Sequence, residues 1–237
     1  MNVPARRCTA AFSPQGYFVQ VPPGLVQAEL RHCFARWGRP LALQFDNGNP
    51  WGSWGDLPTP LASWLIGLGL GVRWIPPRTP QDNGVVERSQ AVAFNWAEPD
   101  RCRDVAALQR RLEEEDRVQR ERYPYGGFPS RWAAYPGLAH SGRPYSAAWE
   151  RAHWSWAAVL SYLAGVQVVR RVDCCGKIGL YHDKLYVGSV NRGKEVVVQF
   201  DAAAAQWVIS ARDGVELCRR PLTQFDAAGL RRLPMNG

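Results

Sequence analysis

Two carboxylate residues, Asp46 and Glu87, occupy positions where an α/β fold gathers catalytic groups. Asp46 directly follows the mostly apolar residues 41–45, which predict a short buried strand, and Glu87 falls in the first turn of a helix predicted to begin near Val85. The helix and short strand predicted between them can return Glu87 to the sheet edge that holds Asp46. Two carboxylates at one edge would supply the oxygen ligands that Mg²⁺ or Mn²⁺ prefer. Such ions promote phosphoryl transfer by activating a hydroxyl and stabilising the leaving oxygen.

The same two carboxylates have a structural interpretation that their spacing leaves open. Asp46 can form an Asx turn ahead of Gly48, a conformation in which the side chain bonds to nearby backbone. Glu87 can complement the partial positive charge at the N-terminus of its helix. Residue types and spacing therefore do not by themselves decide between catalysis and local stabilisation.

The residues that flank the two carboxylates are more specific than the carboxylates alone. Residues 44–48 have the sequence QFDNG, and residues 80–88 have the sequence PQDNGVVER. Both resemble the second-Asp and Glu motifs of DDE-type transposases and retroviral-type integrases, including insertion-sequence transposases, and the resemblance covers residues 9–125. It implies an RNase H-like core in which Asp46 and Glu87 are catalytic and bind the metal. It further implies an active-site loop set, namely Asn47, Gly48, Gln81, Asn83 and Gly84.

Two departures from the family pattern lead us to expect an incomplete active site. The first catalytic Asp of the family lies on the first strand, but the only acidic residue before Asp46 is Glu29, which periodicity places inside a helix. In addition, residues 91–95 lack the DNA-holding Lys that relatives usually carry about two helical turns after the Glu. We therefore expect an N-terminally truncated core, without its first strands, that is catalytically silent on its own.

Periodicity predicts alternating strands and helices in the first half of the chain, as in an α/β fold. Apolar residues recur at helical spacing from Val26 to Trp37, and Gly38 predicts the end of that helix. Thr59 and Asp104 are the residue types expected at helix N-caps. The remaining predicted elements are strands at 9–21, 41–45 and 72–75 and helices at 59–68, 85–96, 104–122 and 149–163.

These elements divide the chain into four predicted parts. Residues 1–125 form the partial RNase H-like integrase core, and residues 126–164 form a helical and irregular connecting segment. Residues 165–222 contain short strand-like runs separated by turns, which predicts a small antiparallel β-barrel of about five strands. This part also resembles the SH3-like barrel that follows the core in many transposases. Residues 223–237 are a tail.

The composition favours a polyanionic partner, because the formal net charge is +8 and the sequence pI is about 9.5. Aromatic residues Tyr181, Tyr186 and Trp207 lie among the basic residues of the predicted barrel, a pattern that suits phosphate contact and base stacking. A solvated basic surface around a packed aromatic core remains the alternative. The predicted DNA-binding residues are Arg88, Arg170, Arg171, Lys177, Lys184, Arg192 and Lys194.

The remaining expectations concern compartment and partners. No run of about 18 apolar residues is present, so no membrane association is expected. The six cysteines and four histidines show no zinc-ligand spacing, and reduced thiols in the cytoplasm, near the nucleoid in a bacterium, are the simplest account. The expected partners are transposon-end and target DNA, together with further copies of the chain or a full-length transposase.

Two functional hypotheses follow. The first is a transposase or integrase-family protein that carries out Mg²⁺-dependent phosphoryl and strand transfer at DNA ends when its active site is complete. The second is a non-catalytic protein that binds DNA or transposase subunits and modulates a complete enzyme.

Overall fold

The computed structural model describes residues 22–45, 57–75 and 84–235; in the helix that begins at Gly84, the side chains of residues 84–87, 89 and 90 lie outside this description. The described part is a mixed helix and sheet structure. Its helices are α1 (Pro23–Trp37), α2 (Pro60–Gly67), α3 (Gly84–Ala97), α4 (Val105–Glu121), α5 (Arg131–Ala134), α6 (Ala147–His153), α7 (Trp156–Ala164) and α8 (Ala227–Arg231). Its strands are β1 (Ala42–Phe45), β2 (Gly71–Trp74), β3 (Gln167–Arg171), β4 (Lys177–Leu180), β5 (Asp183–Tyr186), β6 (Glu195–Asp201), β7 (Gln206–Ala211) and β8 (Glu216–Pro221).

The described residues divide into two compact units. The first unit holds residues 22–45, 73–75, 84–152 and 234–235, and the second holds residues 57–72 and 153–233. The predicted strand at 9–21 lies outside the described residues.

Helix α1 of the first unit confirms the prediction made from its apolar period. Val26, Leu30, Cys33 and Phe34 are buried on one face, while Gly38 caps the C-terminus with its N–H bonded to the carbonyl of Phe34. Burial of this stripe is what stabilises the helix, because few isolated helices of this length persist in water.

Helix α4 begins where its sequence predicts. The Asp104 carboxylate accepts a hydrogen bond of 2.6 Å from the backbone N–H of Ala107, which satisfies a donor that the first turn leaves unpaired. Its buried side includes the polar residues Glu115 and Gln119, which hydrogen bond to each other. Asp116 and Arg120 form an i, i+4 ion pair of 3.2 Å along the same helix.

In the second unit, residues 61–67 of helix α2 are all buried and, apart from Ser63, apolar. Thr59 caps it, as predicted, by accepting a hydrogen bond from the backbone N–H of Ala62. The single helix predicted at 149–163 is wrong: the chain instead forms α6 and α7, separated by Trp154 and Ser155. The reason is local, since Ser155 caps α7 through Ala158 while its own N–H bonds to the carbonyl of Gly67.

The C-terminal part forms an antiparallel sheet with the strand order β3-β6-β7-β8, together with a separate hairpin of β4 and β5. The predicted closed barrel of about five strands is therefore wrong for residues 165–222. Strands β3 and β8 each pair with one neighbour, and the hairpin strands pair with each other, so no ladder closes the sheet. The segment also contains six strands, β3–β8, whereas about five were predicted.

Alternation of side chains gives this sheet its packed face. Val196, Val198 and Phe200 of β6 are buried, as are Trp207 and Ile209 of β7. Buried residues therefore alternate along each strand, from Val196 in β6 and from Trp207 in β7, and they pack into the same core. The residues between them are more accessible.

Among the described residues, no helix has the length and apolarity needed to cross a bilayer. The five cysteines in the described ranges are free thiols.

Candidate active-site edge and nucleic-acid interface

Strands β1 and β2 form a two-stranded sheet, and each candidate motif follows one of these strands in the sequence. The carbonyl of Phe45, the last residue of β1, accepts a hydrogen bond of 2.8 Å from the N–H of Ile75, which directly follows β2. In the chain, Asp46 is the next residue after Phe45, and the 76–83 loop is the next segment after Ile75. Each motif segment therefore follows, in the chain, one of two residues that are hydrogen bonded to each other.

These strands are less enclosed than predicted. Of the β1 residues only Phe45 is buried, with 8% of its surface exposed, and β2 alternates between exposed and half-buried positions. The expectation of a strand covered on both faces is wrong for Ala42 to Gln44.

The segment that leads into β1 is fixed by a distant stretch of the first unit. The Arg39 N–H bonds to the carbonyl of Arg143 at 2.8 Å, and the Arg143 guanidinium donates to the carbonyl of Pro40. The Arg39 guanidinium lies 3.4 Å from the centre of the Trp149 ring. Burial, followed by the charge of Arg143, lowers the pKa of Arg39. These contacts fix the direction in which the chain enters β1.

A partly buried ion pair joins α1 to α6 within the same unit. Arg31 makes a two-pronged contact with Glu150, with Nε–Oε2 at 2.9 Å and Nη2–Oε1 at 2.6 Å. Glu150 is 4% exposed and also accepts a hydrogen bond from the hydroxyl of Tyr145. Burial, then the bond to Glu150, raises the pKa of Tyr145, and the bond to Glu150 raises the pKa of Arg31. The network thus stays charged on Arg31 and protonated on Tyr145 at neutral pH.

The sequence did not single out this supporting network. Its members are ordinary residue types separated by up to 119 positions. In the sequence, the connecting segment at residues 126–164 is rich in Trp, Tyr and Pro, which indicates packing but does not identify a partner.

The predicted active-site residues fall mostly outside the described ranges. Asp46, Asn47, Gly48, Gln81 and Asn83 lie there, so their predicted roles remain predictions. Gly84 is the first residue of α3, and Glu87 lies in the first turn of that helix, where the sequence placed it; the Glu87 side chain is not described.

No carboxylate lies on a strand in residues 22–45. Glu29, the acidic residue of that stretch, is exposed on α1. Within the described ranges there is also no group of three or more His, Cys, Asp or Glu side chains arranged to hold a metal ion. The side chains of Asp46 and Glu87 lie outside the described residues, so their metal-binding role stays a prediction.

Basic residues gather at one end of the C-terminal sheet. Arg171 ends β3, and the next residue, Val172, exchanges backbone hydrogen bonds with Gly193 and Lys194. Arg192 and Lys194 are exposed on this second segment, and Arg171 is exposed on the first. We call Arg171, Arg192 and Lys194 the basic cluster.

Two further predicted residues, Lys177 and Lys184, adjoin the basic cluster through the β4–β5 hairpin. The backbone of Lys177 bonds in both directions to Asp173, and the Lys184 ammonium lies 3.4 Å from the Asp173 carboxylate. Lys184 keeps 63% of its side chain exposed, so the ion pair leaves it open to a further anion.

Sequence reasoning missed Arg212, which lies in the turn between β7 and β8 and pairs with Glu195 at the same end of the sheet. The β4–β5 hairpin and residues 171–173, 192–195 and 212–213 together hold six cations and four carboxylates, an excess of two positive charges. The carboxylates are Asp173, Asp183, Glu195 and Asp213.

Other basic residues of this region have structural contacts. Arg170 is half-buried and donates to the carbonyl of Gly179, which joins β3 to β4. Arg219 forms ion pairs with Asp201 and Glu216, and the hydrogen bonds to Glu216 and Asp201 raise the pKa of Arg219. The predicted DNA-binding residue Arg170 therefore has a structural contact that competes with phosphate. Arg88 is exposed on α3 in the other unit.

The aromatic residues divide between core and surface. Trp207 is fully buried, and its indole N–H donates to Gln224. The Tyr181 hydroxyl is buried, and burial raises the pKa of Tyr181. Tyr186 alone of the three is exposed, with its hydroxyl accepting a hydrogen bond from the N–H of Ser189. Trp207 and the Tyr181 hydroxyl are therefore part of a packed aromatic core, whereas Tyr186 is accessible for stacking on a base.

No protein-family model matches this chain.

Proposed function

We propose that this chain is a transposase or integrase-family protein with an RNase H-like core that acts on DNA by phosphoryl and strand transfer. The observation that carries the proposal is the 2.8 Å hydrogen bond between the carbonyl of Phe45 and the N–H of Ile75. It gives the QFDNG and PQDNGVVER segments a common starting edge, as convergence of Asp46 and Glu87 requires. The order strand, helix, strand, helix from β1 to α3 also agrees with such a core.

In this proposal Asp46 and Glu87 hold Mg²⁺ or Mn²⁺, which supplies charge stabilisation at the reacting phosphate. The remaining residues of the chain orient the site. The contacts of Arg39 and Arg143 direct β1, and the ion pair of Arg31 with Glu150 holds α1 against α6. Rigid support of this kind matters because small displacements of catalytic groups cost large factors in rate.

A second candidate function is DNA binding without catalysis. The excess positive charge around Arg171, Arg192 and Lys194 favours it, since these side chains are exposed and lie on adjoining backbone segments. The position of Glu29 on α1 also favours it, because residues 22–45 then add no third carboxylate to the proposed pair.

The two candidates are separated by one assay on selected DNA. A duplex enriched from a random library by binding to the full chain serves as substrate, and joining to a target plasmid is measured with Mn²⁺. The first candidate predicts joined product that disappears in Asp46→Asn and in Glu87→Gln, while Glu29→Gln, which alters an exposed carboxylate on α1, keeps it. Binding without joined product supports the second candidate. Absence of both binding and joining contradicts both.

The basic cluster is tested by the salt dependence of binding, measured by fluorescence anisotropy. A variant with Gln at Arg171, Arg192 and Lys194 should reduce the slope of log K against log salt by about 2.7, because each phosphate contact contributes about 0.9. The matched control replaces three exposed arginines elsewhere, Arg110, Arg151 and Arg232, and changes the net charge equally. Equal slopes for the two triple variants would show that net charge alone drives binding.

A further inference from the structure

The turn between β3 and β4 holds two adjacent cysteines in a rigid frame. Asp173 N–H bonds to the carbonyl of Lys177 at 2.8 Å, and Gly176 N–H bonds to the carbonyl of Asp173 at 3.0 Å. The Asp173 carboxylate accepts two more bonds, from the N–H groups of Cys175 and Lys177, at 3.0 and 2.9 Å. Four hydrogen bonds in a five-residue stretch fix the backbone that carries Cys174 and Cys175.

Gly176 packs this turn against the segment that follows β5. Its φ is +75°, and a Cβ at this position would lie 2.8 Å from the carbonyl carbon of Gly188. The Gly176 carbonyl accepts a hydrogen bond of 2.9 Å from the N–H of Val187. The backbone is thus packed closely on one side, while the side chains of Cys174 and Cys175 are exposed.

The distance between the two thiols suits a bridging atom and does not suit a disulfide. Their sulfur atoms lie 3.9 Å apart. Adjacent Cα atoms are about 3.8 Å apart across a trans peptide, below the range of about 4.4–6.8 Å in which disulfides usually form. A bridging atom with bonds to sulfur of about 2.3 Å at a tetrahedral angle would span sulfurs about 3.8 Å apart.

The surroundings favour a metalloid with its own third substituent over a metal ion. A thiolate-bound Zn²⁺ site takes four ligands, and no third His, Cys, Asp or Glu in the described ranges is placed to complete a metal site with these thiols. The Asp173 carboxylate is already engaged by backbone N–H groups and by Lys184. The hydrogen bond and charge of Cys174, and the charge of Asp173, raise the pKa of Cys175, so the thiolate form of Cys175 is disfavoured.

We propose that Cys174 and Cys175 form a chelating site for monosubstituted trivalent arsenicals. Each thiol condenses with one arsenic-bound hydroxyl: two As–S bonds form, two As–O bonds break, and each thiol proton leaves with a hydroxyl as water. Arsenic stays trivalent and neither sulfur is oxidised. The arsenical's carbon substituent fills the third position on arsenic. This inference is independent of the proposed function.

The test uses phenylarsonous acid, the hydrated form of phenylarsine oxide, on the reduced full chain in the presence of excess glutathione. Native mass spectrometry should show one adduct, with the mass of the reagent less two waters, that 2,3-dimercaptopropanol removes. Trypsin cleavage after Arg171 and Lys177 places both cysteines on one short peptide, which should carry the adduct. Mapping on the unaltered chain tests the site without any substitution.

Substitutions then measure the contribution of chelation. Cys174→Ser and Cys175→Ser should each weaken retention of the arsenical by about 100-fold or more, because the second bond is an intramolecular one. A matched variant with Ser at Cys8, Cys102 and Cys218 should retain it as the parent does. An adduct that maps to another peptide, or single variants that hold the arsenical as tightly as the parent, would overturn the proposal.

Discussion

Gly38 is the position where a single methyl group tests how the chain is directed into β1. Its backbone has φ +75° and ψ 166°, in a region that residues other than glycine essentially avoid. A Cβ added there would lie 2.3 Å from Ser141 Oγ and 2.9 Å from the backbone carbonyl oxygen of Arg143. The serine can rotate away, but the Arg143 carbonyl is held by its hydrogen bond from Arg39.

The expected effect of Gly38→Ala combines two costs. Holding a residue other than glycine in this backbone region costs about 1–3 kcal/mol. Displacing the packed Arg143 backbone costs about 1–3 kcal/mol more, as for other overpacked sites. We therefore expect the free energy of unfolding to fall by about 2–6 kcal/mol, measured by urea denaturation followed by tryptophan fluorescence.

Gly69→Ala provides the matched control. Gly69 also has a positive φ, of +72°, but a Cβ there would meet no atom within 4 Å. Only backbone strain then applies, at about 1–2 kcal/mol. If Gly38→Ala cost no more than Gly69→Ala, the close packing of residues 140–143 against the entry to β1 would be refuted.

Three further substitutions test the surrounding structure. Glu150→Gln leaves Arg31 facing a neutral amide and should lower the free energy of unfolding by about 1–3 kcal/mol, less than for a fully buried pair because Arg31 is partly exposed; no measurable loss in urea denaturation would contradict this. Burial raises the pKa of Glu115, so its stabilising contribution is present below the unfolded pKa of about 4.3 and is lost as pH rises through the folded pKa. The Tm of Glu115→Gln should therefore increase relative to the Tm of the parent chain as the pH rises from 4 to 7. A Tm difference that does not change with pH would argue against this prediction. Thr59→Ala removes an N-cap and should cost about 1 kcal/mol in thermal unfolding, whereas Thr59→Ser should cost far less.

Local rules predicted the elements whose causes are local. The apolar period of α1 and the caps at Thr59 and Asp104 each depend on residues within one or two turns, and the structure confirms all three. Helix α3 begins at Gly84, one residue from the predicted start near Val85.

Features set by distant partners were not predicted. The break between α6 and α7 depends on the bond from Ser155 to Gly67, which lies in a different part of the sequence. Strand patterning located most of the C-terminal strands but carried no information on whether β3 and β8 would pair, and they do not. A short strand pattern specifies a face, whereas closure depends on tilt and register across the whole sheet.

For the candidate site, the sequence motifs identified the residues, and the structure shows contacts that position the neighbouring strand β1. Glu87 lies in the first turn of α3 as the sequence predicted, and the network around Arg39 and Arg143 came only from the structure. The basic residues of the cluster were found from composition, but the contacts of Arg170 were not, because they depend on the pairing of β3 with its neighbours.

The most direct measurement is a crystal structure of the full chain grown with Mn²⁺, with the ion located by anomalous scattering. The proposed function predicts Mn²⁺ at about 2.1 Å from carboxylate oxygens of Asp46 and Glu87, which would lie within about 8 Å of each other if two ions are shared. An ordered edge in which these carboxylates lie well beyond about 10 Å apart, with no Mn²⁺ at either, would contradict it.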